Sequence, residues 1–189
     1  MALVVVGGQT RGVGKTSVMC GLISALREWE WTAVKISSHK HLEGTEVREE
    51  FDPEGGTDSS RYLKAGAMRS FFLSVPSGQL AEAFDVFSRL SMDVPHVMVE
   101  STSILHLVTP AVALAVIDPN NADTKDSLLA LADRFDAVVL PAGMEAPAML
   151  ARVRRFEIRL PEYCSEALVD FVAGRLVAGR QRMSSYDFR

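Results

Sequence analysis

An apolar, β-branched run at residues 2–6 passes directly into Gly7-Gly8-Gln9-Thr10-Arg11-Gly12-Val13-Gly14-Lys15-Thr16-Ser17, and a stripe at helical spacing (Leu22, Ile23, Leu26) follows at once. This order allows few folds, because a buried strand must end in a tight turn that opens a helix. Glycines let such a turn curl until successive amide N–H groups point inward, and the helix adds its partial positive N-terminus to the same spot. The turn is therefore read as a phosphate-binding loop made by Gly8, Gln9, Thr10, Arg11, Gly12, Val13, Gly14, Lys15, Thr16 and Ser17. Lys15 is placed to reach the β- and γ-phosphate oxygens of a nucleoside triphosphate, and the Thr16 hydroxyl to ligate Mg2+. The expected ligand is GTP or ATP.

Further apolar runs at 32–37, 69–75, 96–100, 111–117 and 136–140 do not alternate, which suits strands buried on both faces of a parallel sheet. Residues 153–160 do alternate, with Phe156, Ile158 and Leu160 opposing Arg155, Glu157 and Arg159, and read as an edge strand. Two more stripes, Leu80/Phe84/Phe87 and Leu168/Phe171/Val172/Leu176, read as helix core faces, the second within a helix at 165–182. A helix is also expected at 124–135, capped by Asp123 or Thr124. The pattern predicts one α/β domain over the 189 residues: a three-layer, mainly parallel, doubly wound sheet of about seven strands with helices on both faces. One stretch resists it. Residues 39–57 carry charges from Lys40 to Asp52, then Pro53, Gly55 and Gly56, and read as a mobile loop or lid.

Composition narrows the function classes. Hydrophobic residues at 48% and charged residues at 23% exclude a disordered scaffold. A net charge of −4 opposes broad attraction to nucleic acid or an anionic membrane, so an anionic ligand must be held locally. The longest apolar run, 107–117, is broken by Thr109 and Pro110 and falls short of the ~18 residues of a membrane span. No basic segment precedes the first apolar run, so a secretory leader is not expected. Cys20 and Cys164 offer no disulfide framework, which fits the cytoplasm.

The loop is one residue longer than the common phosphate-loop spacing, which would put glycine at the position of Gln9. This longer form resembles the loops of SIMIBI-class P-loop proteins: dethiobiotin synthetases, cobyrinic acid amide synthases and MobB-like adapters of molybdopterin-guanine dinucleotide biosynthesis. The signature lysine of the related partitioning ATPases is absent, its place being taken by Thr10 beside Arg11, so a dimer that exchanges lysines is not supported. Val34-Lys35-Ile36-Ser37-Ser38-His39-Lys40-His41, followed by Gly56-Thr57-Asp58-Ser59-Ser60-Arg61-Tyr62-Leu63-Lys64-Ala65-Gly66-Ala67, is most similar to the MobB-like family, and the likeness covers roughly the first hundred residues. It implies a P-loop NTPase fold and a weak NTPase that serves as an adapter to a partner enzyme of molybdenum cofactor synthesis. Glu100 resembles the strand-end glutamate of the MobB-like and dethiobiotin-synthetase families, and Lys35 the lysine that dethiobiotin synthetases place near their substrate.

From the residues themselves, Lys35 is expected at the C-terminal end of a strand, where open α/β sheets bind ligands. There its ammonium either meets phosphate or a second anionic substrate, or is simply solvated. Glu100 ends the fourth run as a carboxylate facing the metal shell, or else caps a turn, and Asp58 is a second acidic candidate. Catalytic roles are thus expected of Lys15, Lys35 and Glu100, and metal ligation of Thr16, Glu100 and Asp58. His39 and His41, with Asp52 and Asp58 downstream, read either as a metal site or as solvated loop residues. Asn120, Asn121, Lys125 and Pro141 are candidates for base or ribose contact; Thr124-Lys125-Asp126-Ser127 looks like a guanine-reading motif with serine in place of its aspartate, and turn chemistry explains Asp118-Pro119-Asn120-Asn121 as well. Arg152, Arg154, Arg155 and Arg159 form a solvated face, dock an acidic partner or a phosphorylated ligand, or flank a strand edge that pairs in a homodimer. Three functions follow: a nucleotide-hydrolysing adapter, an ATP-dependent ligase for a small acid, and a module whose nucleotide orders the 39–57 lid.

Overall fold

A computed structural model describes residues 2–39, 44–76, 78–91 and 94–184. Eight strands form one sheet: β1 (Ala2–Gly8), β2 (Thr32–His39), β3 (Glu46–Glu50), β4 (Arg69–Pro76), β5 (His96–Glu100), β6 (Val112–Val116), β7 (Ala137–Pro141) and β8 (Arg154–Ile158). Their spatial order is β3-β4-β2-β5-β1-β6-β7-β8, and every pairing is parallel except that of β3 with β4. The α/β architecture holds, with one strand more than the seven expected.

The extra strand is β3, which lies inside the segment read as a lid. Its sequence Glu-Val-Arg-Glu-Glu gives no apolar run, because an outer strand with a solvated face needs none; it pairs antiparallel with the buried β4, Val47 opposite Leu73 and Glu49 opposite Phe71. His39 ends β2, whereas His41 lies outside the described residues, so the proposed histidine pair is not placed.

Helices α1 (Lys15–Ala25), α2 (Asp58–Ala65), α3 (Leu80–Leu90), α4 (Asp126–Ala130) and α5 (Glu166–Ser184) cover both faces. The strand period of two divides the core. Val4 and Val6 of β1, with Leu114 and Val116 of β6, pack against Leu22 and Ile23 of α1, Tyr62 of α2 and Leu168, Val172 and Leu176 of α5. Leu3, Val5, Ala113 and Ala115 face the other way, toward Phe87 of α3 and Leu128 of α4. Each fully buried aliphatic side chain contributes roughly 1.5–3 kcal/mol over an exposed one. The helix expected at 124–135 is shorter: α4 is one turn, its N-cap is Lys125 with no side-chain cap bond, and a 3-10 turn at Ala132–Arg134 follows.

Sequence-adjacent elements lie to one side of β1 through β5 and to the other side from β6 onward. The strand order therefore reverses at β1, and a crevice opens beyond its C-terminal end, where open α/β sheets bind ligands. The loop from Gln9 to Gly14 emerges at that point.

Candidate functional site

The loop geometry depends on glycine at specific places. Gly12 and Gly14 have φ of 79° and 96°, the left-handed region that costs other residues about 1–2 kcal/mol. Gly8 faces a different constraint, since a Cβ there would stand 2.4 Å from the Val116 carbonyl oxygen of the neighbouring strand. Its amide donates to Thr102 Oγ1 (2.9 Å), which holds the end of β1 against the segment after β5.

Gln9 does not present its side chain to the loop's concavity. It is buried, its Nε2 donates to the Asn121 carbonyl (2.6 Å) and Thr124 Oγ1 (3.3 Å), and its Oε1 accepts from the Asp118 amide (3.0 Å). Its carbonyl also accepts from the Lys125 amide (3.0 Å). The residue that breaks the common loop spacing thus ties the phosphate loop to the segment following β6.

Inside the loop, Lys15 Nζ donates to the Thr10 carbonyl (2.5 Å). Burial pushes its pKa down from 10.5 to about 8; Glu100 opposes that, and Lys35 and Lys125 add to it. A half-buried ammonium held among other cations is stabilised by an arriving anion.

At the floor stands Glu100, only 2% exposed. Thr16 Oγ1 donates to its Oε2 (2.7 Å), the Tyr62 hydroxyl donates to the same oxygen, and Lys35 Nζ donates to Oε1. Lys35 also pairs with Asp58 Oδ2 at 3.0 Å. Lys35 is not the last residue of its strand, as β2 runs on to His39; it is paired in register with Glu100, where β5 ends, and so reaches the crevice from the side. Asp58 begins α2, whose N-cap Thr57 accepts the Ser60 amide (3.0 Å). Burial raises the Asp58 pKa, but hydrogen bonding to Lys35 and that lysine's charge outweigh it, and the net shift is downward. Tyr62, fully buried, is pushed well above 10 by burial and then by Glu100, so it remains a donor.

Thr16, Glu100 and Asp58 are thus brought together, and all three are oxygen donors of the kind a hard divalent cation such as magnesium takes. Among the described residues, no group of three His, Cys, Asp or Glu side chains converges.

Two adjoining cavities open above this floor. The larger, about 570 Å³, is lined by Arg11, Gly12 and Gly14 to Ser17 of the loop together with Lys35, Asp58, Arg61, Phe72, Glu100 and Tyr163. The smaller, about 290 Å³, shares Arg11, Lys15, Lys35 and Glu100 and extends toward Ser38, Ser103 and Lys125. Five cations, Arg11, Lys15, Lys35, Arg61 and Lys125, face two carboxylates, Glu100 and Asp58. A chain of negative net charge therefore concentrates positive charge here.

Asn120 is exposed, its amide turned back to Asp118 Oδ1 (3.0 Å), and it lines neither cavity. Lys125 lines the smaller cavity together with Lys15. Sequence reasoning missed three neighbours of the loop. Tyr163 lies against Gly14, a Cβ on which would meet its ring at 2.7 Å; Arg61 donates to Ser17 Oγ (2.9 Å); Phe72 is Lys35's partner in the sheet register. An aromatic or arginine carries no motif by itself, so only the fold brings these to the loop. At β8, Arg154 stacks on Phe156 and Phe171 and Arg155 pairs with Glu157, and both line, with Arg159, a separate cavity of about 500 Å³.

The architecture is that of P-loop NTPases. It is similar to HypB from Helicobacter pylori, solved in complex with nickel, with a TM-score of 0.56 and 15% identity over 96% of this chain and 88% of that one. The hydrogenase maturation factor HypB from Archaeoglobus fulgidus gives 0.56 and 13% identity over 93% and 90%. LpxK from Aquifex aeolicus, solved in complex with ATP, gives 0.54 and 14% identity over 82% of this chain and 53% of that one. No protein-family model and no curated protein sequence matches the chain. Likeness at these identities establishes the fold, and function must be argued from the site. Among the described residues no helix is long and apolar enough to cross a membrane.

Proposed function

We propose that this chain binds a nucleoside triphosphate, GTP or ATP, together with magnesium, hydrolyses it slowly, and acts as an adapter to a partner enzyme of molybdenum cofactor synthesis. The observation that carries the nucleotide reading is the convergence of Lys15, Thr16 and Glu100 beneath a loop whose Gly12 and Gly14 are left-handed. Such a loop aims amides at an anion, and Lys15 adds charge where the terminal phosphates lie. Magnesium, held through Thr16 with the carboxylates of Glu100 and Asp58, would neutralise charge on the phosphate oxygens.

Slow turnover follows from the acid–base groups on hand. Hydrolysis needs water aligned with the terminal phosphate, yet both carboxylates of the cavity are ion-paired to Lys35, and the Asp58 pKa is lowered, which makes it a poor base. What remains is positioning and charge stabilisation by Lys15, the loop amides and Arg11. The adapter role is supported by the resemblance carried at Val34–His41 and Gly56–Ala67, whose Lys35, Asp58 and Tyr62 all meet Glu100 or its partner lysine.

Equilibrium titration with fluorescent GTP and ATP tests this. Saturable, magnesium-dependent binding is expected. Lys15→Ala should weaken it by about ten- to hundredfold, the worth of one charge-assisted contact. Binding indifferent to both magnesium and Lys15 overturns the proposal.

A further inference from the structure

The smaller cavity adjoins the larger one along Arg11, Lys15, Lys35, Ser37 and Glu100. Tyr163 and Phe72 line only the larger of the two, and no aromatic ring lines the smaller. At about 290 Å³ it sits at the lower end of the range of small-molecule sites, near 300 Å³. Beside the apolar Ile36, its wall includes Ser38, Ser101, Ser103, Lys125 and Ser127, drawn from the ends of β2 and β5 and the start of α4.

The polar side chains of that wall are rich in donors. Every one of these side chains can donate a hydrogen bond. The carboxylate present, Glu100, already accepts from Lys35, Thr16 and Tyr62, which leaves it little capacity to meet a cationic or donor-rich ligand. Arg11 and Lys125 have no acidic side chain within ion-pair distance among the described residues. The Lys125 pKa is lowered, by burial first and then by repulsion from Arg11 and Lys35. Positive charge is therefore in excess here: four cations line the cavity against one carboxylate, Glu100, which Lys35 already pairs.

We propose that this cavity is a second ligand site, beside the phosphate loop, for a small dianionic oxyacid such as a dicarboxylate or a phosphate. Lys125 and Arg11 neutralise it, and the serine hydroxyls at the ends of β2 and β5 fix its oxygens. The ligand lies against Lys15 at the terminal-phosphate end of the loop, so it and the nucleotide share one wall. The site rests on the nucleotide reading for that placement and shares Arg11 with the loop; Lys125, Ser38, Ser101, Ser103 and Ser127 line the smaller cavity alone.

The test is calorimetric titration of the intact chain, first saturated with magnesium and a nonhydrolysable GTP or ATP analogue, using malonate in one arm and inorganic phosphate in the other. Saturable 1:1 uptake of at least one probe is expected. Lys125→Met, whose thermal melt checks that it is folded, should weaken the probe by about tenfold, the loss of one charge-assisted contact, and weaken the analogue much less. Uptake of malonate alone assigns a carboxylate ligand, and uptake of phosphate alone a phosphoryl-bearing one. If neither probe binds the nucleotide-loaded chain, or if Lys125→Met binds as the parent does, the second site is overturned while the nucleotide reading stands. Probe binding that the analogue abolishes has the same meaning, since the probe then occupies the phosphate loop. If no nucleotide binds but a Lys125-dependent probe does, the nucleotide reading fails and the second site survives.

Discussion

Tyr62 donates its phenol hydrogen to Glu100 Oε2, the same oxygen that accepts from Thr16 at 2.7 Å. Both partners are buried, so the bond couples α2 to the end of β5 and fixes which way the carboxylate faces. Tyr62→Phe keeps the ring's packing and removes only the donor. A hydrogen bond to a charged group contributes about 1.5–3 kcal/mol, and that loss is expected in urea denaturation. The magnesium concentration needed for half-maximal nucleotide binding should rise as Glu100 loses its orientation, with magnesium-free binding little changed. A loss below about 0.5 kcal/mol, within the range of neutral surface changes, would show that Tyr62 only fills space.

Lys15 makes stability and binding depend on pH in a defined direction. Its folded pKa, about 8, is below the ordinary 10.5, so between those values the unfolded chain holds more protons than the folded one. Stability from this group therefore rises with pH across that window and is lowest below pH 8. Urea midpoints at pH 7 and 9.5 should differ in that sense for the parent, and less for Lys15→Met. Triphosphate binding restores the charge, so calorimetry at pH 8 in buffers of different ionisation enthalpy should register uptake of about half a proton, vanishing toward pH 6. Uptake independent of pH would contradict the buried-lysine account.

Glycines of one loop should differ in their tolerance. Gly8→Ala drives a Cβ to 2.4 Å from the Val116 carbonyl, and because Gly8 and Val116 are register partners in the sheet, relief requires β1 and β6 to part. Such overpacking costs roughly 1–3 kcal/mol or more. Gly12→Ala meets no atom within 4 Å and bears only the strain of φ 79°, about 1–2 kcal/mol. Thermal melts should rank Gly8→Ala as the less stable. Equal stability would mean that the loop relieves the clash without moving the sheet.

Much of this was legible because the buried parallel strands write themselves as apolar runs: 96–100 coincides with β5, and 32–37 and 69–75 fall short of β2 and β4 by only one or two residues. The phosphate loop was legible because strand, glycines and helix occur in one continuous stretch. Tyr62 was not, since a tyrosine on a helix face reads the same whether its hydroxyl meets solvent or Glu100. Nor was the role of Gln9, whose partners lie more than a hundred residues away at Asp118, Asn121 and Thr124. Contacts made across the sheet leave no spacing in the chain. α4 starts two residues later than expected for a related reason, since the Lys125 amide donates to the Gln9 carbonyl, and its last expected turn is instead a 3-10 turn at Ala132–Arg134.

The segment read as a lid supplies the last prediction. β3 is anchored by contacts within the chain: Glu49 accepts from Arg69 Nε and Nη2 at 2.7 and 2.8 Å, Arg48 lies over the Phe72 ring, and Glu50 Oε2 accepts from Thr57 and Ser59 at 3.1 Å. These contacts tie the strand to β4 and to the start of α2, so its ladder should open only with the sheet edge. Hydrogen exchange at Glu46–Glu50 is therefore expected to be slow in the ligand-free chain and to change little when triphosphate and magnesium are added. Fast exchange that slows on binding would instead make β3 a nucleotide-ordered element. Because Phe72 lines the larger cavity and carries Arg48 above it, replacing Arg48 with alanine should speed exchange across β3 more than replacing the exposed Glu46.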